Sequence, residues 1–239
     1  LRKIYIITSI KKNRIQRIKM QFKAVVFDLD GTLIDTIEDL KDSLNFVLEK
    51  RGCPKRTYDE VKRFVGNGLG KLMERGLPQG AGPELIKECT AELISYYSEH
   101  SLIKTAPYEG IKELISDLKT RGMKLSVVTN KNEKEAKRIC AHFFGDVFDT
   151  IVGDREGMPL KPAAEPVFKA LEEMGVSADD AIYIGDSEVD VRTALNSGLR
   201  MIAVLWGFRE KDVLIKEGAK VFAEKPSDIL KVEAQKVCP

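Results

Sequence analysis

Two acids two positions apart, Asp28 and Asp30, close an apolar run and are followed at once by Gly31 and Thr32 in the stretch FDLDGTLIDT, Phe27 to Thr36. A turn is the plain reason for such a sequence, since Asp and Gly after a strand are ordinary turn formers. Similar residues stand at other places of the same kind. Thr129 and Asn130 close the run KLSVVT, and GDSEVD after AIYIG places Asp186 and Asp190 four apart at a helix start. If these runs are strands of one sheet, the acids meet at one edge. Gathered carboxylates repel and raise each other's pKa unless a cation stands among them. Oxygen ligands with no His or Cys nearby favour Mg²⁺, which keeps several waters and completes its shell with substrate phosphate. Between the third and fourth runs LKPAAEP supplies Lys161, whose ammonium suits a phosphoryl group, although a lone Lys ordinarily serves surface solvation.

The elements that would position these groups are legible as a pattern. FKAVVFD (Phe22 to Asp28) is short, rich in β-branched and aromatic residues and apolar on successive positions, as a strand covered on both faces should be. KLSVVT (Lys124 to Thr129), DTIVG (Asp149 to Gly153), AIYIG (Ala181 to Gly185) and RMIAVL (Arg200 to Leu205) repeat the pattern, with helical segments between them that include 109–121 and 166–174. The alternation predicts an α/β fold, a Rossmann-like parallel sheet with helices on both faces, which binds ligands just beyond the carboxyl ends of its strands. From Thr36 to about Thr105 the pattern is helical only. Leu40, Leu44, Val47 and Leu48 form one stripe that ends at Gly52, TYDE (Thr57 to Glu60) is a capping box, and Leu85, Ile86, Cys89, Leu93 and Tyr97 share a face of a helix over 83–100. These residues read as an inserted all-helical cap domain, 35–105, in a core formed by 20–34 and 106–239, with hinges near 33–36 and 104–108.

The chain has 239 residues, 43% of them hydrophobic, enough for such a core. No window approaches the roughly eighteen apolar residues of a membrane span. The four cysteines, Cys53, Cys89, Cys140 and Cys238, are scattered with no CxxC pair and only two histidines to join them, which argues against a structural zinc site. Reduced thiols and a cytoplasmic setting are expected. Residues 1–19 hold seven basic residues and no acid, so subtracting these from the formal +2 leaves −5 for 20–239, an acidic body that argues against general nucleic-acid binding. The basic segment has a targeting-arm reading and a plainer one: Met20 stands two residues before the first strand, which makes 1–19 an extension upstream of the native start.

DLDGTL, VVTN, LKP and GDSEVD, in this order, resemble the four motifs of the haloacid dehalogenase superfamily, and the helical insert resembles its cap between motifs one and two. The four fixed residues of DxDGT alone arise by chance on the order of once in 10⁵ start positions, and the similarity runs from Phe22 to about Leu230. It implies Asp28 as nucleophile, forming an aspartyl-phosphate, and Asp30 as general acid and then general base. It further implies that Thr129, the N–H groups around Gly31, Thr32 and Asn130, and the Lys161 ammonium hold the phosphoryl oxygens. Mg²⁺ falls to the Asp28 carboxylate, the Asp30 main-chain carbonyl and Asp186, with Asp190 orienting a metal water or Lys161. The working centre so implied gathers Asp28, Asp30 and Asp186 into a single cluster beside the ester. Dehalogenases of the superfamily work without metal; Asp30 and the acidic fourth motif favour phosphate chemistry here.

FVGNGL (Phe64 to Leu69), PYEGIKELISDLKTRG and GAKVFAEKPSDIL resemble the phosphoglycolate phosphatase group within that superfamily. The implied activity is hydrolysis of a small phosphorylated metabolite, 2-phosphoglycolate the leading candidate, by a monomer or weak homodimer with no nucleic-acid or membrane partner. Gly66, Asn67 and Gly68 follow no strand and miss the GxGxxG spacing, so they read either as a helix break or as a lid loop whose backbone meets substrate. Arg63 has a substrate-carboxylate reading beside that of a solvated helix residue, and WGFR, Trp206 to Arg209, lies past a strand end where it can border the site or simply pack. A pyrophosphatase, a nucleotidase and a sugar-phosphate mutase use nearly the same core and stay open. In a different class stand a phosphorylation-activated receiver and a catalytically dead binding protein. Receivers place an acidic pair ahead of the phosphorylated Asp and lack a large lid.

Overall fold

The structure, a computed structural model, describes residues 22–234; the basic segment 1–19 and Cys238 lie outside the described residues. β1 (Ala24–Phe27) is followed by β2 (Ile34–Asp35), then by α1 (Ile37–Lys50), α2 (Tyr58–Phe64), α3 (Gly68–Gly76) and α4 (Pro83–His100), and the chain returns through β3 (Ala106–Pro107). Next come α5 (Ile111–Thr120), β4 (Lys124–Asn132), α6 (Glu133–Phe144), β5 (Thr150–Asp154), α7 (Glu165–Met174) and β6 (Ala181–Gly185). The last elements are α8 (Glu188–Ser197), β7 (Arg200–Val204), α9 (Lys211–Glu217), β8 (Phe222–Ala223) and α10 (Pro226–Ala234).

Six strands form one sheet in the order β5-β4-β1-β6-β7-β8, each neighbouring pair parallel. All four residues of β1 are buried, because alternate side chains serve opposite faces. Val25 and Phe27 pack with α5 and α6 residues such as Leu114, Leu118 and Ile139, while Ala24 and Val26 pack with Val167, Ala170 and Leu171 of α7. The sheet is thus the doubly covered parallel sheet that the alternation predicts. β8 escapes sequence reading because two residues carry no periodicity. β4 runs past its expected end at Thr129 to Asn132, with an irregular register between Val128 and Asn132. After β1 the chain builds outward on one side through β4 and β5 and then on the other through β6, β7 and β8, so the order reverses at β1. That reversal opens a crevice at the carboxyl end of β1.

Between β2 and β3 the described elements are helices alone, and they bury a cluster of their own that includes Leu40, Leu44, Leu72, Met73, Leu93 and Tyr97. The stripe on α1 is buried as its spacing predicts. At α2 the Thr57 hydroxyl accepts from Glu60 N at 3.3 Å and the Glu60 carboxylate accepts from Thr57 N at 2.8 Å, a reciprocal cap. On α4, Cys89, Leu93 and Tyr97 are buried, whereas Leu85 is exposed near the start of the helix, where the stripe runs out past its packing partners. The passages out and back pair antiparallel, Ile34 with Pro107 and Asp35 with Ala106. Asp39 reinforces the join: its buried carboxylate accepts from the N–H groups of Ile103, Lys104 and Thr105 and from the Thr105 hydroxyl. Among the described residues no helix is long and apolar enough to cross a membrane.

Candidate active site

A cavity of about 440 Å³ lies at the crevice. Asp28, Asp30, Thr129, Asn130, Lys161 and Asp186 line it from the sheet side, and Val65, Gly66, Gly68 and Tyr97 from the helical insert. Asp28 stands at the end of β1, Thr129 and Asn130 near the end of β4, Asp186 just past β6, and Lys161 in the link from β5 to α7. Three neighbouring strands and one connecting link therefore bring together residues spread along the chain from Asp28 to Asp186.

Carboxylate oxygens of Asp28, Asp186 and Asp190 all lie within 4.8 Å of one another, and all three residues are buried. Lys161 Nζ sits between two of them, 2.8 Å from Asp28 Oδ1 and 2.8 Å from Asp190 Oδ1. Burial lifts the Asp28 carboxyl well above its usual range, Asp190 and Asp186 add to the effect, and Lys161 opposes it. Burial and then Asp190 push Asp186 up to about 7, against the Phe208 N–H and the Thr32 hydroxyl that bind it. Three carboxylates facing one ammonium leave two negative charges uncompensated, the charge of one divalent cation. Their donors are oxygens only, and those of Asp28 and Asp186 suit Mg²⁺.

The members of this trio differ in what they have left to offer. Asp190 Oδ1 accepts from Lys161 Nζ and from the Tyr183 hydroxyl at 2.9 Å; its Oδ2 accepts from Asp186 N, Ser187 N and Ser187 Oγ. Five donors occupy both oxygens, so Asp190 serves as the seat of Lys161 and has no lone pair to spare for an ion. Burial works against its charge, yet Lys161 and its hydroxyl partners hold its pKa below the usual range. Asp186 has one protein donor on each oxygen, Thr32 Oγ1 at 3.0 Å and Phe208 N at 2.8 Å. Among the described residues, Asp28 meets only Lys161 through its side chain.

Asp30 departs from the single cluster that its spacing and the family resemblance predict. Both its carboxylate oxygens are 3.0 Å from Lys131 Nζ, which also donates to the Tyr97 hydroxyl of α4 at 3.0 Å. With both oxygens of Asp30 paired to Lys131, the gathered carboxylates are Asp28, Asp186 and Asp190, and of Asp30 only the main-chain carbonyl is left for a cation. Burial works against the Lys131 ammonium, but Asp30 and Tyr97 hold its pKa above the usual lysine range. Sequence reasoning missed this lysine although it directly follows Asn130 in VVTNK.

The residues expected to cradle a phosphoryl group are placed unevenly. Gly31 N donates to Ile34 O at 2.9 Å and Thr32 N to Leu29 O at 3.3 Å, so both N–H groups are used inside the turn. The Thr32 hydroxyl is spent on Asp186. Gly31 is needed for its conformation and its closeness: φ is +88°, and a Cβ there would lie 2.4 Å from Asp186 Oδ2. Thr129 faces the cavity, its Oγ1 accepting from Lys131 N at 3.2 Å. Asn130 is tied on every side, accepting from Lys161 N and donating to Lys161 O and to Gly66 O of the insert. Gly66 and Gly68 do line the cavity, but Asn67 does not, because its Oδ1 turns back to accept from Arg75 at 3.0 Å. Gly66 precedes α3 and Gly68 opens it, a helix that the low helix propensity of its glycines hides in the sequence.

The model of the family of haloacid dehalogenase-like hydrolases matches residues 25–204. The chain belongs to that family. This hydrolase is similar to a phosphoglycolate phosphatase of Aquifex aeolicus, 31% identical over 211 residues that make up 88% of this chain and 96% of the relative. It is also similar to a phosphoglycolate phosphatase of Caulobacter vibrioides, 34% identical over 79% of this chain and 81% of the other. Among solved structures, a Lactobacillus delbrueckii subsp. bulgaricus protein assigned to the phosphoglycolate phosphatases superposes with a TM-score of 0.85 at 32% identity, covering 90% of this chain and 99% of its own. The haloacid dehalogenase-like hydrolases are thus where both the motifs and the fold place it.

Proposed function

We propose that this hydrolase is a Mg²⁺-dependent phosphatase of small phosphomonoesters, with 2-phosphoglycolate the first candidate, acting through an aspartyl-phosphate on Asp28. One observation carries the reading: Asp28 faces a cavity between sheet and insert with an ammonium 2.8 Å away, while a second carboxylate, Asp30, is held on its own lysine. An oxygen of Asp28 attacks phosphorus as the bond from phosphorus to the ester oxygen breaks, and Asp30 in its acid form gives a proton to that leaving oxygen. Water then attacks the phosphorus, Asp30 takes its proton, and the Asp28 carboxylate departs from inorganic phosphate. Lys161, seated by Asp190, neutralises phosphoryl charge throughout, and Thr129 adds a hydroxyl on the β4 side. When held by Asp28, Asp186 and the Asp30 main-chain carbonyl, Mg²⁺ would supply further charge neutralisation at the phosphoryl oxygens.

In this reading residues 35–105 are a helical cap domain and residues 20–34 and 106–239 the core. The cap excludes bulk water and selects the leaving group by shape, and a cavity of about 440 Å³ has room for a phosphorylated two- or three-carbon acid. The enzyme acts in the cytoplasm as a monomer or weak homodimer.

The test is Mg²⁺-dependent release of phosphate from p-nitrophenyl phosphate, followed by a panel of phosphorylated metabolites ranked by kcat/KM. Steady turnover that falls at least about a thousandfold in Asp28→Asn, with small acids or sugar phosphates at the top of the panel, is expected. Stoichiometric phosphorylation without turnover would replace the reading with a phospho-acceptor. A preference for diphosphates, nucleotides or hexose phosphate isomerisation would move it to a pyrophosphatase, a nucleotidase or a mutase.

A further inference from the structure

The loop after β7, Trp206 to Arg209, belongs to the sheet side of the cavity, yet it grips both sides. Its backbone holds an acid of the centre: Phe208 N donates to Asp186 Oδ2 at 2.8 Å. Gly207 lies so close beneath Asp186 that a Cβ there would come within 2.3 Å of that residue's own Cβ. Trp206 Nε1 donates to Thr32 O at 3.0 Å, and the Thr32 hydroxyl in turn holds Asp186 Oδ1. Both oxygens of Asp186 are therefore fixed by groups tied to this loop.

The side chains of Phe208 and Arg209 point to the insert instead, while that of Trp206 stays with the sheet-side core. The Phe208 ring is buried in the apolar cluster of α1 to α4. Arg209 donates from Nη1 to Lys62 O at 2.7 Å and from Nη2 to Val65 O at 2.7 Å, while Glu188 accepts from its Nε at 2.6 Å. Those carbonyls form the C-terminal end of α2, where backbone acceptors lack helical partners and a cation is favoured. Val65 and Gly66, next in the chain, line the cavity.

We propose that Arg209 is a positioning residue that couples the seating of α2 over the cavity to the presentation of Asp186 for its cation. The inference rests on the phosphatase reading for the identity of that cation. With the fork on α2 made, the loop has one arrangement, and Phe208 N and Gly207 fix the carboxylate in it. With the fork released, Asp186 is free to turn. Coupling of this kind is reciprocal, so the cation should in turn steady the end of α2.

Two variants separate coupling from charge. Arg209→Lys keeps the positive charge and loses the planar fork; Arg209→Met loses both. The Arg209 charge also acts directly on Asp186, where it favours the carboxylate over the acid, so Arg209→Lys, which keeps the charge, is the variant that isolates the fork. Mg²⁺ alone is the probe, titrated by calorimetry into each protein, with the single tryptophan, Trp206, giving a fluorescence signal from within the loop. Hydrogen exchange over 62–68 is followed with and without Mg²⁺. The expected result is a Mg²⁺ Kd raised about fivefold or more in both variants, and loss of the Mg²⁺-induced protection of 62–68 seen in the wild type. Kd values within about twofold of wild type in Arg209→Lys, or tighter binding in Arg209→Met, would overturn the coupling and leave the phosphatase reading standing. A folded wild type that binds no Mg²⁺ would overturn both.

Discussion

Asp39 gives the most direct measure of how firmly the helical insert is joined to the sheet. Its carboxylate, 3% exposed in the first turn of α1, accepts from Ile103 N at 3.1 Å, Lys104 N at 3.0 Å, Thr105 N at 2.9 Å and Thr105 Oγ1 at 2.8 Å. Those donors lie on the passage that returns from α4 to β3. Asp39→Ala removes the acceptor and strands three N–H groups and a hydroxyl where water enters poorly. An unmatched buried donor costs about 1–3 kcal/mol, and since this segment is partly exposed and can relax, the low end applies to each, for a loss of about 3–4 kcal/mol. Asp39→Asn keeps one acceptor oxygen but turns donors toward donors, costing about 2 kcal/mol. With a urea slope of about 3 kcal/mol per M, the midpoint should fall by about 1 M in the Ala variant and by somewhat less in the Asn variant. Far-UV circular dichroism reports the helices, and Trp206 fluorescence reports the sheet-side loop; divergence of the two transitions would show the insert loosening ahead of the core. Midpoints within about 0.2 M of wild type in both variants would refute the assignment of Asp39 as the tie between the two passages.

Replacing Lys131 by Met removes both bonds to Asp30 and the bond to Tyr97, and kcat should fall about 10- to 100-fold with little change in KM, while Lys131→Arg recovers part of the loss; steady-state kinetics decide. Gly31→Ala places a Cβ 2.4 Å from Asp186 Oδ2 at a φ of +88°, so thermal unfolding should show at least about 2 kcal/mol of destabilisation, and activity should drop further than stability alone explains. Burial pushes the Cys140 thiol up to about 12 and raises that of Cys89, whereas Cys53 is half-buried. Less thiolate forms at a given pH when the pKa is raised. In a Cys238→Ser chain at about pH 8 a thiol-labelling reagent should therefore react with Cys53 first, and with Cys89 and Cys140 only on unfolding.

The residues legible in the sequence are those whose place is set by the sheet alone. Asp28, Thr129 and Asp186 stand at or near the ends of apolar runs, and once the runs are strands of one parallel sheet the carboxyl edge brings them together. Lys161 and Asp190 come from the same side of that frame, and their 2.8 Å contact agrees with the reading of Asp190 as a support for the lysine. What the sequence hides depends on how the insert sits on the sheet. Lys131 pairs with Asp30 and also donates to Tyr97 of α4, and no periodicity in either segment announces that meeting. Asn67 looked available for substrate until Arg75, eight residues on, took its oxygen. Arg209 was noticed only as part of a segment past a strand end, because its partners are main-chain carbonyls that leave no mark in residue type.

The antiparallel meeting of Ile34–Asp35 with Ala106–Pro107 has an evolutionary consequence. A segment that departs and re-enters through adjoining residues demands no particular span from its host, so pieces of very different length can be spliced at the same joint. Recognition can be exchanged there if the replacement again offers a hydroxyl to Lys131 and helix-end carbonyls to Arg209, the two contacts that tie the insert to Asp30 and Asp186. A graft of a foreign helical module between those two short strands is therefore a practical route to redirecting this scaffold toward new esters.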